Sequence, residues 1–382
     1  MSARPGRVVT DAVGELTGVV TSSYPAEDVT LLFTDLTGVV DPIPSDAVVA
    51  LARGTGGTGH RTVVPVEDPP SAEAAAIFTE LLGEGARRVA LLCCVLARRI
   101  IASYSAGDPA QEVVLASIAR AGTPIGVVLN RVLRRRYRRD STHYSISLVP
   151  GLGIDVTALR HIAARHPVAA VRFVDGWSGK GGIARVLRDE LCRAAAGVEF
   201  AAELAVLVDP GAASSLCATR DDVLLPSAVL NAPVSGGFSR SFRPALLGPE
   251  KFHAAVRYRH LCEHDVSNHF VDVVCAAVDE IDEAEVWAAL TAAEAAGPAT
   301  FRGWEFTEAL AAEFQAPNML SFVKPGLNET CRSMVARQPA VLLVDPARDG
   351  ADLGVIRRLA ADRGVPVLER AMPYAAVGIA WG

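Results

Sequence analysis

The chain has 382 residues, half of them hydrophobic, and a formal net charge of −6. That length suits two or three domains with a sizeable core, and the acidic balance carries no global signal for a polyanionic partner. The seven scattered cysteines form no C-x-x-C pair and no zinc spacing, so they read as reduced thiols, mostly buried, rather than as a disulfide framework. The opening "MSARPGRVVTDAVGEL" lacks an apolar signal core, and the longest apolar run, "VALLCCVLA", is too short to span a bilayer. The expectation is a soluble, cytoplasmic protein without membrane contact.

Taken in chain order, about the first 65 residues are rich in Gly, Pro and Thr and show little periodicity. "SAEAAAIFTELLGEGARRVALLCCVLARRIIASY" reads as two helices, the first with Ser71 at its cap after Pro69-Pro70. "EVVLASIARAGTPIG" reads as a strand, a Gly-Pro turn and a helix. The arginine run Arg131–Arg139 is either a solvated helix face or a contact to phosphate or RNA. "HYSISLV" alternates as a strand, "DVTALRHIAARH" is a capped helix, and "AAVRFVD" is a strand that ends in Asp175. A glycine loop, a helix and the strand "ELAVLVD" follow. Strands alternating with helices predict a mostly parallel sheet with crossovers, with ligands at the carboxyl ends of its strands. Beyond Gly297 a helix–strand–helix–strand order marks a small α/β unit, so the boundaries fall at residues 1–297 and 298–382, the former beginning with an irregular or hood-like segment.

The loop "RFVDGWSGKGG", Arg172 to Gly182, carries the strongest chemical signal. A Walker A loop is excluded, because Val174 stands where its first Gly is needed and Gly181 follows Lys180. A dinucleotide fingerprint is met by Gly179, Gly181 and Ala184, but residues 175–178 separate the first Gly from the strand. The third loop type holds phosphoribosyl pyrophosphate. It needs an acidic residue for ribose hydroxyls, then amides and a helix N-terminus for a phosphate.

Several longer stretches together resemble one family, the phosphoribosyltransferase-like proteins of bacterial tellurite-resistance stress operons, which carry a pelota-like RNA-binding domain at the C-terminus. The stretches are "SIARAGTPIG" (Ser117 to Gly126), "HYSISL" (His143 to Leu148), "GID" (Gly153 to Asp155) and "FVDGWSGKGG". Further on come "LLPSAVLNAPVSGGFSR" (Leu224 to Arg240) and "KFHAAVRY" (Lys251 to Tyr258). A StiP-like cysteine-protease label is also attached to this family. The resemblance implies a phosphoribosyltransferase-like sheet flanked by helices, plus a small pelota or kink-turn-binding domain.

It further implies a Mg²⁺-dependent glycosyltransferase of the pentosyltransferase class that takes phosphoribosyl pyrophosphate and a base-like acceptor to a nucleotide-like metabolite. Ala119, Arg120, Ala121, Gly122 and Thr123 would hold pyrophosphate, with Arg120 as donor fork. Asp175 would hold ribose hydroxyls and, indirectly, the metal. Gly176, Ser178, Gly179, Lys180, Gly181 and Gly182 would hold the 5′-phosphate, and Asp175 and Arg120 would be the catalytic pair. The loop departs from the family pattern, since Gly176 follows Asp175 where a second acid is usual and the loop is about one residue short.

His143, Tyr144, Asn231, Ser235 and Arg240 are further candidates for substrate contact, against plain structural roles in a strand pair and a polar loop. "GLNETCR" resembles the signature of kink-turn RNA-binding proteins, which nominates Gly326, Asn328, Glu329 and Arg332 for structured RNA, against an ordinary capped helix. The second function is therefore an RNA-binding stress-response regulator with a degenerate catalytic domain. A cysteine protease is the third. Cys93, Cys94 and Cys217 lie in no nucleophile motif, and nothing in the sequence links His143 to any of them. Oligomeric state is left open. The transferase reading requires the carboxyl ends of "EVVLAS" and "AAVRFVD" to face one cleft, adjacent or one strand apart.

Overall fold

The computed structural model describes residues 19–55, 59–104, 112–149, 151–193, 199–295, 297–314, 320, 322–336 and 339–380. The expectation drawn from the first residues of the chain therefore lies outside the described residues. From residue 19 the chain gives β1 (Thr30–Leu31), β2 (Thr34–Asp35), α1 (Ser45–Gly54) and α2 (Ala72–Ala102), so the early segment is less irregular than its composition implies. Next come β3 (Val113–Ile118), α3 (Gly122–Arg135), β4 (Ser141–Ile146), the ribbon β5 (Leu148–Val149) and β6 (Gly153–Ile154), and α4 (Val156–Ala163). β7 (Val171–Trp177), α5 (Gly182–Arg193), β8 (Leu204–Val208), β9 (Cys217–Thr219), β10 (Ala254–Ala255), α6 (Ser267–Val278) and α7 (Glu283–Ala295) complete the larger part. The C-terminal part holds α8 (Arg302–Glu313), β11 (Val323–Pro325), α9 (Leu327–Ala336), β12 (Val341–Val344), α10 (Ala351–Asp362), β13 (Val367–Glu369) and β14 (Ala376–Ile379).

The main sheet has six strands in the order β1-β4-β3-β7-β8-β9, and its pairs are parallel. β3 shows why both faces are covered. Val113 and Leu115 pack with α2 and α3, while Val114, Ala116 and Ile118 pack with α4 and α5 on the other side. A period of two with apolar residues at both phases is what a parallel sheet between helix layers requires. α4 begins where its sequence demands, since the Asp155 carboxylate accepts the Ala158 N–H at 3.1 Å.

α2 is one helix of 31 residues, not two. Gly83 and Gly85 each cost about 1 kcal/mol inside a helix, yet a long buried stripe from Ala74 to Ile100 outweighs them. Ser71 caps it as expected, accepting the Ala74 N–H at 3.1 Å. The arginine run after α3 is mostly structural. Arg131 binds Asp28 and Asp272, and Arg136 reaches the carbonyls of Val278 and Ile281 and the Glu283 carboxylate, tying α3 to α6 and α7.

The C-terminal part forms its own four-stranded sheet in the order β11-β14-β12-β13. It is not loosely tethered. Leu327, Cys331 and Met334 of α9 share one continuous core with Leu224, Leu225 and Val229 of the larger part. Asn328 is 2% exposed; its side chain accepts the Leu225 N–H at 2.8 Å and donates to the Val223 carbonyl at 2.7 Å. Replacing Asn328 by Ala strands both backbone groups in the interface, so Asn328→Ala is expected to lose about 1–3 kcal/mol of stability in urea unfolding. An unchanged midpoint would show that the interface does not need this contact.

Candidate functional site

β3 and β7 are direct neighbours, with Ser117 opposite Val174, so the loops after them lie side by side. Together with α9 and β11 they enclose a cleft of about 410 Å³ lined by Ala119, Arg120, Asp175, Trp177, Asn231 and Arg332, among others. Ligand sites at the carboxyl ends of parallel strands are the rule for such sheets, and this one is roofed by the C-terminal part.

Asp175 is 5% exposed. Burial pushes its carboxyl up to about 7, against the pull of the Gly176 N–H, which it accepts at 2.8 Å, and of Arg332; Glu329 adds to the rise. Arg332 donates from Nε to Asn231 Oδ1 at 2.8 Å and from Nη2 to the Leu230 carbonyl at 3.3 Å. Its guanidinium stands 5.1 Å from the centre of the Trp177 ring, a cation–π contact. Among the described residues no carboxylate lies within ion-pair distance of Arg332, and desolvation, helped by the nearby Arg120 charge, lowers it to about 10. Arg120 is neutralised by Glu67, with Nη2 2.5 Å from Oε1, and its Nη1 donates to the Phe238 carbonyl at 3.0 Å.

The residues nominated from sequence divide sharply. Ala119, Arg120, Ala121, Asp175, Asn231, Glu329 and Arg332 meet in the cleft. Gly122 and Thr123 do not: a Cβ on Gly122 would meet the Val174 carbonyl, and Thr123 Oγ1 pairs with Ser145 Oγ at 2.8 Å. Gly176 packs on the Ala121 carbonyl.

The glycine loop proper is a docking surface. Ser178 joins the sheet through its N–H to the Val208 carbonyl, and the Gly179 carbonyl accepts Tyr374 Oη at 2.8 Å. A Cβ on Gly179 would run into the Pro325 carbonyl, one on Gly181 into Ala213 and Phe301, and Gly182 faces Trp304. Lys180 donates to the carbonyls of Leu320 and Val323 at 2.7 and 3.1 Å, and burial lowers its ammonium to about 8. The amide cradle expected for a phosphate is thus filled by the C-terminal part.

His143 and Tyr144 lie away from the cleft. His143 Nδ1 meets the Asp28 carbonyl at 3.0 Å and Nε2 meets Ser117 Oγ at 2.8 Å, and burial lowers its imidazole to about 4. Tyr144 Oη meets His166 Nε2 at 2.9 Å. Ser235 donates to the Asn231 carbonyl at 2.7 Å, and Arg240 to the Val63 carbonyl at 2.9 Å. Gly326, with φ +88°, turns the chain from β11 into α9. Trp177, Lys324, Ser333 and Glu67 were not nominated. Trp177 stood inside the quoted loop, but Glu67 comes from a stretch without periodic pattern and nothing local marks it.

Asp175 has no second acid beside it in the chain, and among the described residues no group of three or more His, Cys, Asp or Glu could hold a metal ion. Of the thiols, Cys192 and Cys262 are exposed, whereas Cys93, Cys94, Cys217 and Cys331 are buried. Burial raises Cys94 to about 11 and Cys331 to about 12. Among the described residues no helix is long and apolar enough to cross a membrane.

Fold and cleft define an α/β protein whose parallel sheet and C-terminal part line one cleft. Residues 22–275 match the family described as the tellurite-like stress resistance cysteine protease StiP, and the chain belongs to that family. Residues 301–381 match the PELOTA RNA binding domain. The chain is 29% identical over 369 residues to the cysteine protease StiP of Acinetobacter baylyi (strain ATCC 33305 / BD413 / ADP1), covering 93% of this chain and 92% of that one. No solved structure matches the chain.

These findings correct the functional expectations. A cysteine-protease family replaces the Mg²⁺-dependent glycosyltransferase, so phosphoribosyl pyrophosphate and a base-like acceptor are withdrawn as partners. The physical reason is visible in the loops: Arg120 is spent on Glu67, and Lys180 and Gly179 on the C-terminal domain. The same family match gives no support to the RNA-binding regulator with a degenerate catalytic domain. Asn328 and Arg332, nominated for RNA, instead hold the Leu225 amide and Asn231.

The state of Asp175 is testable through stability. In the unfolded chain an aspartate titrates near ~3.9. With a folded value near 7, wild-type stability falls as pH rises from about 4 to 7 and then levels, because the unfolded chain releases its proton first. Asp175→Asn removes that loss, so its stability relative to wild type should improve across this window, by on the order of 2–4 kcal/mol. Urea unfolding at pH 5 and pH 8 measures it, and a difference independent of pH would contradict the raised value.

Proposed function

We propose that this chain is a peptide-directed hydrolase whose substrate is anchored, through a negatively charged group, in the cleft between the main sheet and α9. One observation carries the reading: Arg332 faces that cleft with no carboxylate partner among the described residues, beside a buried Asp175. A guanidinium removed from water at a cavity wall favours an anion there, since a buried charge is stabilised by a partner. Asp175 supplies the proton-handling group, because a carboxyl near 7 both gives and takes a proton at neutral pH.

The family's description and the name of the Acinetobacter baylyi relative supply the reaction class. Of the two exposed thiols, Cys262 is taken as the nucleophile because its turn is tied to the residue that binds Arg120. It sits in the turn Arg259–His264, and His260 ties that turn to the Glu67 carbonyl at 2.8 Å, next to the carboxylate that binds Arg120. Cys192 lies near the end of α5, without such a link among the described residues.

Internally quenched peptides with acidic or neutral residues around the scissile bond test this. Arg332→Met should lower kcat/KM for acidic peptides by roughly 10–100-fold, the worth of a charge-assisted hydrogen bond. Cys262→Ala should abolish turnover, and Cys192→Ala should not. Equal turnover of acidic peptides by wild type and Arg332→Met would overturn the cleft as the anchor.

A further inference from the structure

We infer that a cavity of about 240 Å³ beside the cleft is a second subsite of the same site. Its occupant is an uncharged apolar side chain, of leucine or phenylalanine size, on the residue next to the substrate's anionic one. The inference rests on the reading of the cleft as an anion anchor and adds a second contact to it.

One stretch of chain serves both spaces. Asn231 lines the cleft and the cavity alike. Leu230 lines the cavity, while its carbonyl accepts Nη2 of the cleft residue Arg332 at 3.3 Å. α9 likewise sends Arg332 and Ser333 to the cleft and Val335 to the cavity. Glu67 lines the cavity and pairs with Arg120, which lines the cleft. The cavity wall is also tied to the Cys262 turn. The Glu67 carbonyl meets His260 Nε2 at 2.8 Å, and the carbonyl of Pro233, another lining residue, accepts the N–H of Val266, just past the turn, at 2.7 Å. The cavity thus joins the anchor to the turn that carries the thiol.

The chemistry of the wall selects the occupant. Val66, Pro70, Val229, Leu230, Pro233 and Val335 supply apolar surface. Polar atoms of the other lining residues are committed within the protein. Glu67 binds Arg120 through Oε1 and accepts the Ala232 N–H through Oε2 at 3.1 Å. Ser71 Oγ caps α2, and Ser45 Oγ donates to the Val66 carbonyl at 3.4 Å. The remaining charged lining residues, the exposed Asp68 and the half-buried Arg363, are of opposite sign. With Glu67 matched by Arg120, the lining favours no net charge in an occupant. A cavity of about 150 Å³ already admits benzene, so this volume takes a leucyl or phenyl group.

One donor is left for a peptide backbone. A guanidinium carries no acceptor, so the Asn231 atom that meets Arg332 Nε is Oδ1, which fixes the amide orientation. Asn231 Nδ2 then has no protein partner among the described residues, and it belongs to the residue that lines both spaces. A peptide carbonyl between two neighbouring residues fits that donor. Neighbouring side chains of an extended peptide point opposite ways, so one enters the cleft and the next the cavity.

Calorimetry on the full chain tests this with blocked dipeptides in both orders, N-acetyl-glutamyl-leucinamide and the α-amide of N-acetyl-leucyl-glutamate. Each is compared with versions carrying glycine or lysine in place of leucine. In at least one order leucine should bind roughly 10–100-fold more tightly than glycine, the worth of burying its side chain. Lysine should bind no better than glycine. Val66→Trp and Val335→Trp each fill the cavity, and each should remove most of the leucine advantage. Binding of the glycine dipeptide should be unchanged in both, which also shows that they are folded; the wild-type comparison decides without them if they are not. Equal binding of leucine and glycine dipeptides in both orders, lost in Arg332→Met, would overturn the subsite and leave the cleft as the anchor. A leucine advantage that survives both filling variants would overturn it as well. Absence of binding by every dipeptide would remove the cleft reading and the subsite together.

Discussion

The seating of α9 on the segment that follows β9 is the constraint on which the site depends. The Asp222 carboxylate accepts the N–H of Leu327, the first residue of α9, at 2.8 Å and that of Ala375 at 3.0 Å. It thereby satisfies an orphan donor of the helix and sits at the positive end of its dipole. Burial still raises this carboxyl to about 6, so the contact holds a partly desolvated acid in place through backbone donors. From that anchor the helix repeat does the rest. Leu327 and Cys331 lie four apart and face the shared core, while Asn328 and Arg332, also four apart, face the 223–231 segment. Core, interface and cleft are three stripes of one short helix.

The same seating explains why a loop with the composition of a phosphate cradle is not one. Glycines permit close approach of any backbone or ligand. Here the approach is made by the carbonyl of Pro325 and the hydroxyl of Tyr374. The cations that would have served a polyanion are likewise committed, Arg120 to Glu67 and Lys180 to two carbonyls. What remains at the cleft is Lys324 and a guanidinium that, among the described residues, has no carboxylate within ion-pair distance, beside a carboxyl that keeps its proton near neutrality.

The order of strands and helices was legible because it rests on periodicity, which is local. The parallel sheet and the Asp155 and Ser71 caps followed from it, whereas the neighbouring positions of the two loops were a requirement of the transferase reading. α2 was misread because helix-breaking glycines were weighed without the buried stripe that spans them. Asp175 and Arg120 were found as charged residues at strand ends. Their surroundings were not legible, since Glu67, Asn231 and Arg332 reach the cleft from distant parts of the chain. The motif around Asn328 was read for its residue types, and only tertiary contacts show that those side chains face inward.

The most direct test of the central claim, that the sheet and α9 jointly anchor an anionic group of the substrate, is a crystal structure of the full chain with the α-amide of N-acetylglutamate. The account predicts the side-chain carboxylate at hydrogen-bond distance, about 2.7–2.9 Å, from Arg332 Nη1 and close to Asp175, with Trp177 against the ligand's stem. A ligand bound elsewhere, with Arg332 and Asp175 ordered and the cleft empty of it, would contradict the account.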